Sequence, residues 1–425
     1  MSTALMTDRY ELTMLQSFID SGRVNDKAVF EVFTRRLPAG RRFGVFAGLG
    51  RLIPMIKNFE FMGSDLQWLR EQGIVNRATW DYLSNFKFTG TIDAYPEGEL
   101  FFPNSPVLTV RATLGEAVVL ETLILSVLNH DSSIATTAAR MVMSAKGRPI
   151  IEMGSRRTHE ESAVAAARAA YIAGFASTSN LLAGKRYGIP TVGTAAHAFT
   201  LAHEDELTAF KAQVKSLGKN TSLLVDTYDI EQGIRNAVAA AGTSLGTIRI
   251  DSGDLAAEAF KARALLDSLG AYGTRILVTS DLDELIMKDL ADAPIDGYGV
   301  GTRLVASQPM GFVYKLVEIN GRPVAKKSKD KNSTGGRKYA YRVYKDNKIV
   351  DEMFTVHADS PPVASEGELI LGPVQVFDIL DGAQLTLEET RLYAKRAVDE
   401  LPLGEQKVWN GDFGPYITAS LGMGW

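Results

Sequence analysis

The chain has 425 residues, of which 45% are apolar and 23% charged, with a formal net charge of −4. That length allows two domains and a core that is stable without covalent staples, and the charge gives no global pull toward nucleic acid or an anionic membrane. The absence of cysteine excludes disulfides, thiolate catalysis and cysteine-ligated metals.

Met1 to Tyr10 lack a basic segment followed by an apolar run, so no secretory signal is expected. No stretch reaches the roughly 20 uncharged apolar residues of a membrane span, and the expected compartment is the cytoplasm. A helix is predicted to start near Asp8, with Leu12, Met14, Leu15 and Phe18 at near-helical spacing. Ala28 to Phe33 alternates like a strand. Leu49 to Phe61 and Ser64 to Gln72 read as helices. From Phe88 to Arg111 the pattern is β-like, punctuated by Pro96, Pro103 and Pro106. Gly115 to Ala145 reads as one or two helices, apolar around much of the circumference and therefore buried.

From Pro149 a regular alternation sets in. Strands are predicted near 149–153, 174–177, 190–193, 222–226, 247–251, 275–279 and 295–299. Helices are predicted near 160–172, 179–187, 204–217, 230–241, 255–269 and 283–289. Strand starts about 16–32 residues apart fit βα units. Seven short strands with intervening helices favour an α/β fold, an irregular, closed or nearly closed (β/α) barrel, over a doubly wound open sheet. After Leu304 the rhythm breaks. Gly311 to Ile319 and Ala340 to Asp351 read as antiparallel strands around the basic loop Lys326 to Lys338, and Thr386 to Leu401 as a helix. Residues 1–115 and 305–425 are expected to share one α+β domain, since each is too fragmentary to hold a core alone. Residues 116–304 would form the barrel domain.

Several of these strands stop at a polar cluster. In Arg249-Ile-Asp-Ser-Gly-Asp254 the strand period puts Arg249 and Asp251 on one face, Gly253 permits a tight turn, and Asp254 stands where it can cap the next helix. An aspartate at such a strand end can hold ribose hydroxyls or a metal-bound phosphate; the plainer alternative is a cap beside a surface ion pair. Gly299-Val-Gly-Thr302 follows the last strand and offers backbone N–H groups and a hydroxyl to a monophosphate, or forms an ordinary turn. His197 follows Gly193-Thr-Ala-Ala and can serve as proton shuttle, phosphate ligand, phosphoryl acceptor or structural histidine. Gly154-Ser-Arg-Arg157 places adjacent arginines at a strand end, where their forks suit carboxylate or phosphate. The basic loop is either a phosphate clamp or a solvated turn.

Together these motifs, with Thr7-Asp-Arg-Tyr-Glu-Leu-Thr13, Phe30-Glu-Val-Phe-Thr-Arg-Arg-Leu-Pro38, Glu97 to Leu108 and Thr178-Ser-Asn180, resemble the nicotinate phosphoribosyltransferases over nearly the full chain. The resemblance implies an enzyme that joins nicotinate to phosphoribosyl pyrophosphate, coupled to ATP hydrolysis through a phosphohistidine, with Mg²⁺ as cofactor and ATP as co-substrate. By the same resemblance the phosphohistidine is His197. Arg249, Asp251, Ser280, Asp281, Gly299 and Gly301, with Thr302, hold the phosphoribose. Tyr10, donated by the partner of a homodimer, stacks on the base opposite Met153. Arg156 lies near base and phosphates, Arg35 reaches across the dimer, and Lys315 and Lys327 lie near the phosphates. The residue under the base is often phenylalanine in the family, but a thioether also packs on a ring. Relatives that prefer nicotinamide place an aspartate where this chain has Ser179. Aspartate accepts from an amide and repels a carboxylate, so Ser179 with Arg156 argues for the acid. The alternatives are transfer to nicotinamide or quinolinate, a sugar-phosphate lyase or aldolase, and a nucleotide sensor without turnover. A lyase or aldolase would need a Schiff-base lysine at a strand end, and none of these clusters ends in one.

Overall fold

The computed structural model describes residues 2–328, 333–356, 369–374, 377–382, 384–402 and 420–421. The chain folds as two compact units, Met1–Thr136 with Gln308–Trp425, and Thr137–Ser307. The division falls inside the long helix Glu121–Ser144, rather than ahead of it as the sequence had suggested.

The unit Thr137–Ser307 is built on a six-stranded sheet. Its spatial order is Ser177–Thr178, Ile150–Glu152, Gly297–Val300, Arg275–Val278, Thr247–Ile250 and Ser222–Leu224. Every neighbouring pair is parallel. Parallel strands are covered on both faces and must be apolar; Leu223, Ile248, Ile250, Ile276, Val278, Tyr298 and Val300 are accordingly fully buried. The predicted strand near 190–193 shrinks to one parallel bridge from Thr191 to Thr178, so the series of about seven becomes six strands and a bridge.

Helices follow the strands, and their starts have a local cause. Asn180, Asp205, Asp229, Asp254 and Asp283 each accept a backbone N–H from the first turn of the next helix. Such a cap contributes about 1 kcal/mol. Gly188, Gly218 and Gly242 close three of these helices at positive φ, where a Cβ would be strained. Because the strands are all parallel, every strand delivers its C-terminal end to the same edge of the sheet.

The other unit joins the two chain ends in an antiparallel sheet. Lys27–Thr34 pairs on one side with Leu108–Thr113 and on the other with Phe312–Ile319. Phe30 stacks on Tyr314 with ring centroids 4.6 Å apart. Beyond this sheet, Arg342 is buried between two carboxylates. Its Nη1 donates to Glu99 Oε1 at 3.0 Å, its Nε to Glu352 Oε2 at 2.8 Å, and its Nη2 to the Leu100 carbonyl. Glu352 also accepts from Ser105 and Tyr95, and Glu99 from Tyr393.

Two elements differ from expectation. Ala340 to Asp351 is a hairpin, Tyr339–Lys345 and Lys348–Thr355, turning at Asp346 and Asn347. Both have φ above +50°, the conformation a two-residue hairpin turn requires. The helix Arg77–Ser84, capped by Asn76, was not foreseen. Within the basic loop, residues 329–332 lie outside the described residues. Among the described residues no helix is long and apolar enough to cross a membrane.

Candidate active site

Met153 and Arg156, Ser179, Asp226, Asp251, Ser280 and Asp281, Gly301 and Thr302 all stand at or just beyond the C-terminal ends of the parallel strands. His197 opens the short helix His197–Leu201, after the segment that leaves the Thr191 bridge. The sheet thus brings eleven of the predicted residues to one edge, counting Arg249 and Gly299 within the strands themselves.

Hydrogen bonds tie this edge together. Asp251 Oδ1 accepts from the Thr279 hydroxyl. The Asp251 N–H and the Ser252 hydroxyl both donate to Asp226 Oδ2, at 2.8 and 2.7 Å. His197 Nδ1 lies 3.2 Å from Thr227 Oγ1, and its Nε2 is 4.0 Å from Asp226 Oδ1. The Asp226 side chain is 1% exposed, the His197 side chain 41%. Arg249 Nη1 donates to Thr194 Oγ1. Burial pulls the Arg249 guanidinium below the usual arginine pKa; Asp251 and Asp226 oppose this and Arg156 adds to it. Two atoms here, Asp226 Oδ1 and Arg249 Nε, are buried without a hydrogen-bond partner. Polar atoms left so are costly and call for a partner.

Backbone geometry adds a second sign of a built site. Ser280 has φ +123°, a conformation that side chains rarely adopt. Such strain persists only where the surroundings enforce it. Gly299 lies within the strand Gly297–Val300 and is buried, so it does not follow the strand as the sequence had suggested. A Cβ there would stand 2.5 Å from Thr279 Cγ2 and 2.8 Å from Met153 Sδ. Its glycine therefore makes room for Met153, while Gly301 and Thr302 occupy the turn itself. Asp254 caps the helix Leu255–Ser268.

Tyr10, Arg35, Lys315 and Lys327 belong to the other unit. Tyr10 is 45% exposed beside Glu121, and burial followed by that carboxylate raises its hydroxyl pKa. Lys315 Nζ is 3.9 Å from the same Glu121. Arg35 lies over the Phe33 ring, and Lys327 is exposed.

No individual role was expected of Asp226, Thr194, Thr227, Thr279 or Glu152. A signal for Asp226 existed: Leu223-Leu-Val-Asp226 ends a strand as Ile248-Arg-Ile-Asp251 does. Among the described residues no group of three or more His, Cys, Asp or Glu residues could hold a metal ion alone. Mg²⁺ commonly takes one or two carboxylates and completes its shell with substrate phosphates and water. Asp251 and Asp281 are two carboxylates that follow the neighbouring strands Thr247–Ile250 and Arg275–Val278, the donor type and number such an ion takes from protein.

Residues 5–129 match the family model of the nicotinate phosphoribosyltransferase N-terminal domain, and residues 149–360 that of the nicotinate phosphoribosyltransferase family. A nicotinate phosphoribosyltransferase of Mycobacterium tuberculosis is 53% identical, over 96% of this chain and 93% of its own. One from Bacillus subtilis is 41% identical, over 80% of this chain and 73% of its own. The crystal structure of the human nicotinic acid phosphoribosyltransferase aligns with a TM-score of 0.82 at 26% identity, covering 98% of this chain and 97% of that one.

Proposed function

Because the chain belongs to the nicotinate phosphoribosyltransferase family, we propose that this sheet edge joins nicotinate to phosphoribosyl pyrophosphate, giving nicotinate mononucleotide for NAD biosynthesis. The ring nitrogen of nicotinate forms a bond to C1 of the ribose as the bond from C1 to the pyrophosphate oxygen breaks. Positive charge builds on the sugar and negative charge on the leaving group. Asp251, oriented by Thr279 and by Asp226 through its own N–H, faces the first. Asp281 joins it, and both would hold Mg²⁺ with the diphosphate. When bound there, the ion would supply positive charge for the departing oxygens. Arg249 and the Gly301–Thr302 turn take phosphate oxygens, and Ser280 presents its hydroxyl on the ribose side.

Nicotinate is an anion, so its pocket needs donors and no facing carboxylate. Ser179 and Arg156 supply donors, and Met153 packs on the ring. This favours the acid over nicotinamide, and quinolinate would need a further cation for its second carboxylate.

ATP hydrolysis is coupled through phosphorylation of His197, half-exposed and held at Nδ1 by Thr227. The added charge reorders the neighbouring Thr194 and Asp226 segments and tightens substrate binding. Tyr10 and Arg35 serve the active site of the partner in a homodimer, Lys315 and Lys327 contact phosphate, and the enzyme works in the cytoplasm. The observation that carries this reading is the hydrogen-bonded cluster of Asp226, Asp251, Ser252 and Thr279 beside Arg249, with His197 bonded to Thr227, the residue after Asp226.

The test is incubation with nicotinate, phosphoribosyl pyrophosphate, Mg²⁺ and ATP, following nicotinate mononucleotide and acid-labile phosphate on the protein. Failure to form nicotinate mononucleotide refutes the substrate assignment. His197→Ala should keep slow basal turnover and lose ATP stimulation; an unchanged ATP dependence removes His197 from that role.

A further inference from the structure

Glu152 ends the strand Ile150–Glu152 with its side chain fully buried, and the chemistry above makes no use of it. Its carboxylate is divided between two segments. Oε1 accepts from the Gly154 N–H and Oε2 from the Thr178 hydroxyl, while its backbone carbonyl accepts from the Ser179 N–H at 2.8 Å. The same Thr178 hydroxyl accepts from the Asn180 N–H at 2.9 Å, and Asn180 Nδ2 donates to Ser155 Oγ at 2.9 Å. The turn carrying Met153 and Arg156 is thereby fastened to the segment carrying Ser179.

The turn also rests directly on the carboxylate. A Cβ at Gly154 would lie 2.8 Å from Glu152 Oε1 and 2.3 Å from Val305 Cγ1, so glycine is what permits the approach. Met153 is held from the other side, its N–H donating to the Val300 carbonyl at 2.7 Å. Burying a carboxylate on two neutral donors is costly, and burial raises its pKa above the usual carboxylate range against the bonds from Thr178 and Gly154. A neutral side chain could close the strand end at lower cost. What the carboxylate adds is two acceptor oxygens that fix two segments at once.

We propose that Glu152 is a positioning residue that sets the spacing between Arg156 and Ser179 and so determines selectivity for an aromatic carboxylic acid over its amide. This rests on the functional reading above, in which those two residues and Met153 receive the base.

Three variants test it: Glu152→Ala, Glu152→Gln and Thr178→Val, the last removing only the hydroxyl from the clamp. Each is assayed for KM of nicotinate, KM of phosphoribosyl pyrophosphate, the nicotinate-to-nicotinamide preference and thermal unfolding. Glu152→Ala should raise KM for nicotinate about tenfold or more, from the loss of two charge-assisted bonds. KM for phosphoribosyl pyrophosphate should stay within about twofold, because its contacts lie on other strands. Glu152→Gln keeps one acceptor and should fall between. Thr178→Val should shift the same parameter by roughly threefold, and the double variant Glu152→Gln with Thr178→Val should be no worse than Glu152→Gln alone. If Glu152→Ala does not fold, the other two variants carry the test. Parallel rises in both KM values, or independent effects that multiply in the double variant, overturn the proposal. A wild-type enzyme that makes no nicotinate mononucleotide overturns the functional reading and this proposal with it; an active wild type with any failing pattern overturns this proposal alone.

Discussion

Arg342 and Arg249 are both guanidinium groups sunk among carboxylates, one in each compact unit, yet their donors are used differently. Arg342 has every nitrogen engaged: Nε, Nη1 and Nη2 each reach an oxygen, and the two carboxylates it meets take further bonds from Ser105, Tyr95 and Tyr393. Arg249 donates to Thr194, but its Nε is buried without a partner, as is Oδ1 of the nearby Asp226. A closed network of this kind fixes packing. An open one holds its groups in place and keeps donors and acceptors in reserve, which is what a site for a charged substrate requires.

The largest effect should come from the closed network. Arg342→Met leaves Glu99 and Glu352 buried without their counter-ion and should cost about 3–5 kcal/mol of stability, read as a shift in the denaturant midpoint. A loss below about 1 kcal/mol would mean that this cluster is not a structural tie. The open cluster should give the converse. Asp251→Asn should lower kcat about 10²–10³-fold while unfolding stays within about 1 kcal/mol; equal damage to stability would erase the contrast. Ser179→Asp brings a like charge to the carboxylate of the base and should raise KM for nicotinate roughly 10–100-fold, with nicotinate retained at wild-type KM placing Ser179 away from that group. The smallest effect belongs to Asp254→Ala, which removes a helix cap at the same sheet edge. It should cost about 1 kcal/mol in thermal unfolding, with unaltered kinetics.

How far the sequence carried depends on where each signal resides. The helices Glu160–Ile172 and Ile230–Ala241 fall where they were predicted because their limits are local: Asp229 caps the second and Gly242 ends it. The hairpin turn was missed although Lys345-Asp-Asn-Lys348 interrupts the apolar pattern with four polar residues, and Asp and Asn tolerate the positive φ found at both turn positions. The strand at Thr191 was overestimated, since a short extended stretch forms no ladder unless a neighbour pairs along it, and here only one bridge forms. The candidate site follows the same rule. Asp251, Ser280 and Gly301 stood out because each follows a strand-like run. Asp226 also ends such a run, but its tie to Ser252, like that of Glu152 to Thr178, was not legible, because those partners come from other strands, brought beside them by the sheet. That Gly299 lies inside the strand and leaves no space for a Cβ beside Met153 and Thr279 was not legible, because the contact joins residues far apart in the chain.

The parallel sheet has an unlaced seam. Thr191 borders one lip and Ser222–Leu224 forms the other, with no ladder pairing them among the described residues. The ties that run from the Thr191 side toward the far strands are side-chain ones, Thr194 to Arg249 and His197 to Thr227. A ligand that drew Arg249 away from Thr194, or a change of charge on the imidazole, would therefore act on the lacing itself. Opening and closing along this line need break no strand pairing, so the sheet can yield at its margin while its interior stays intact.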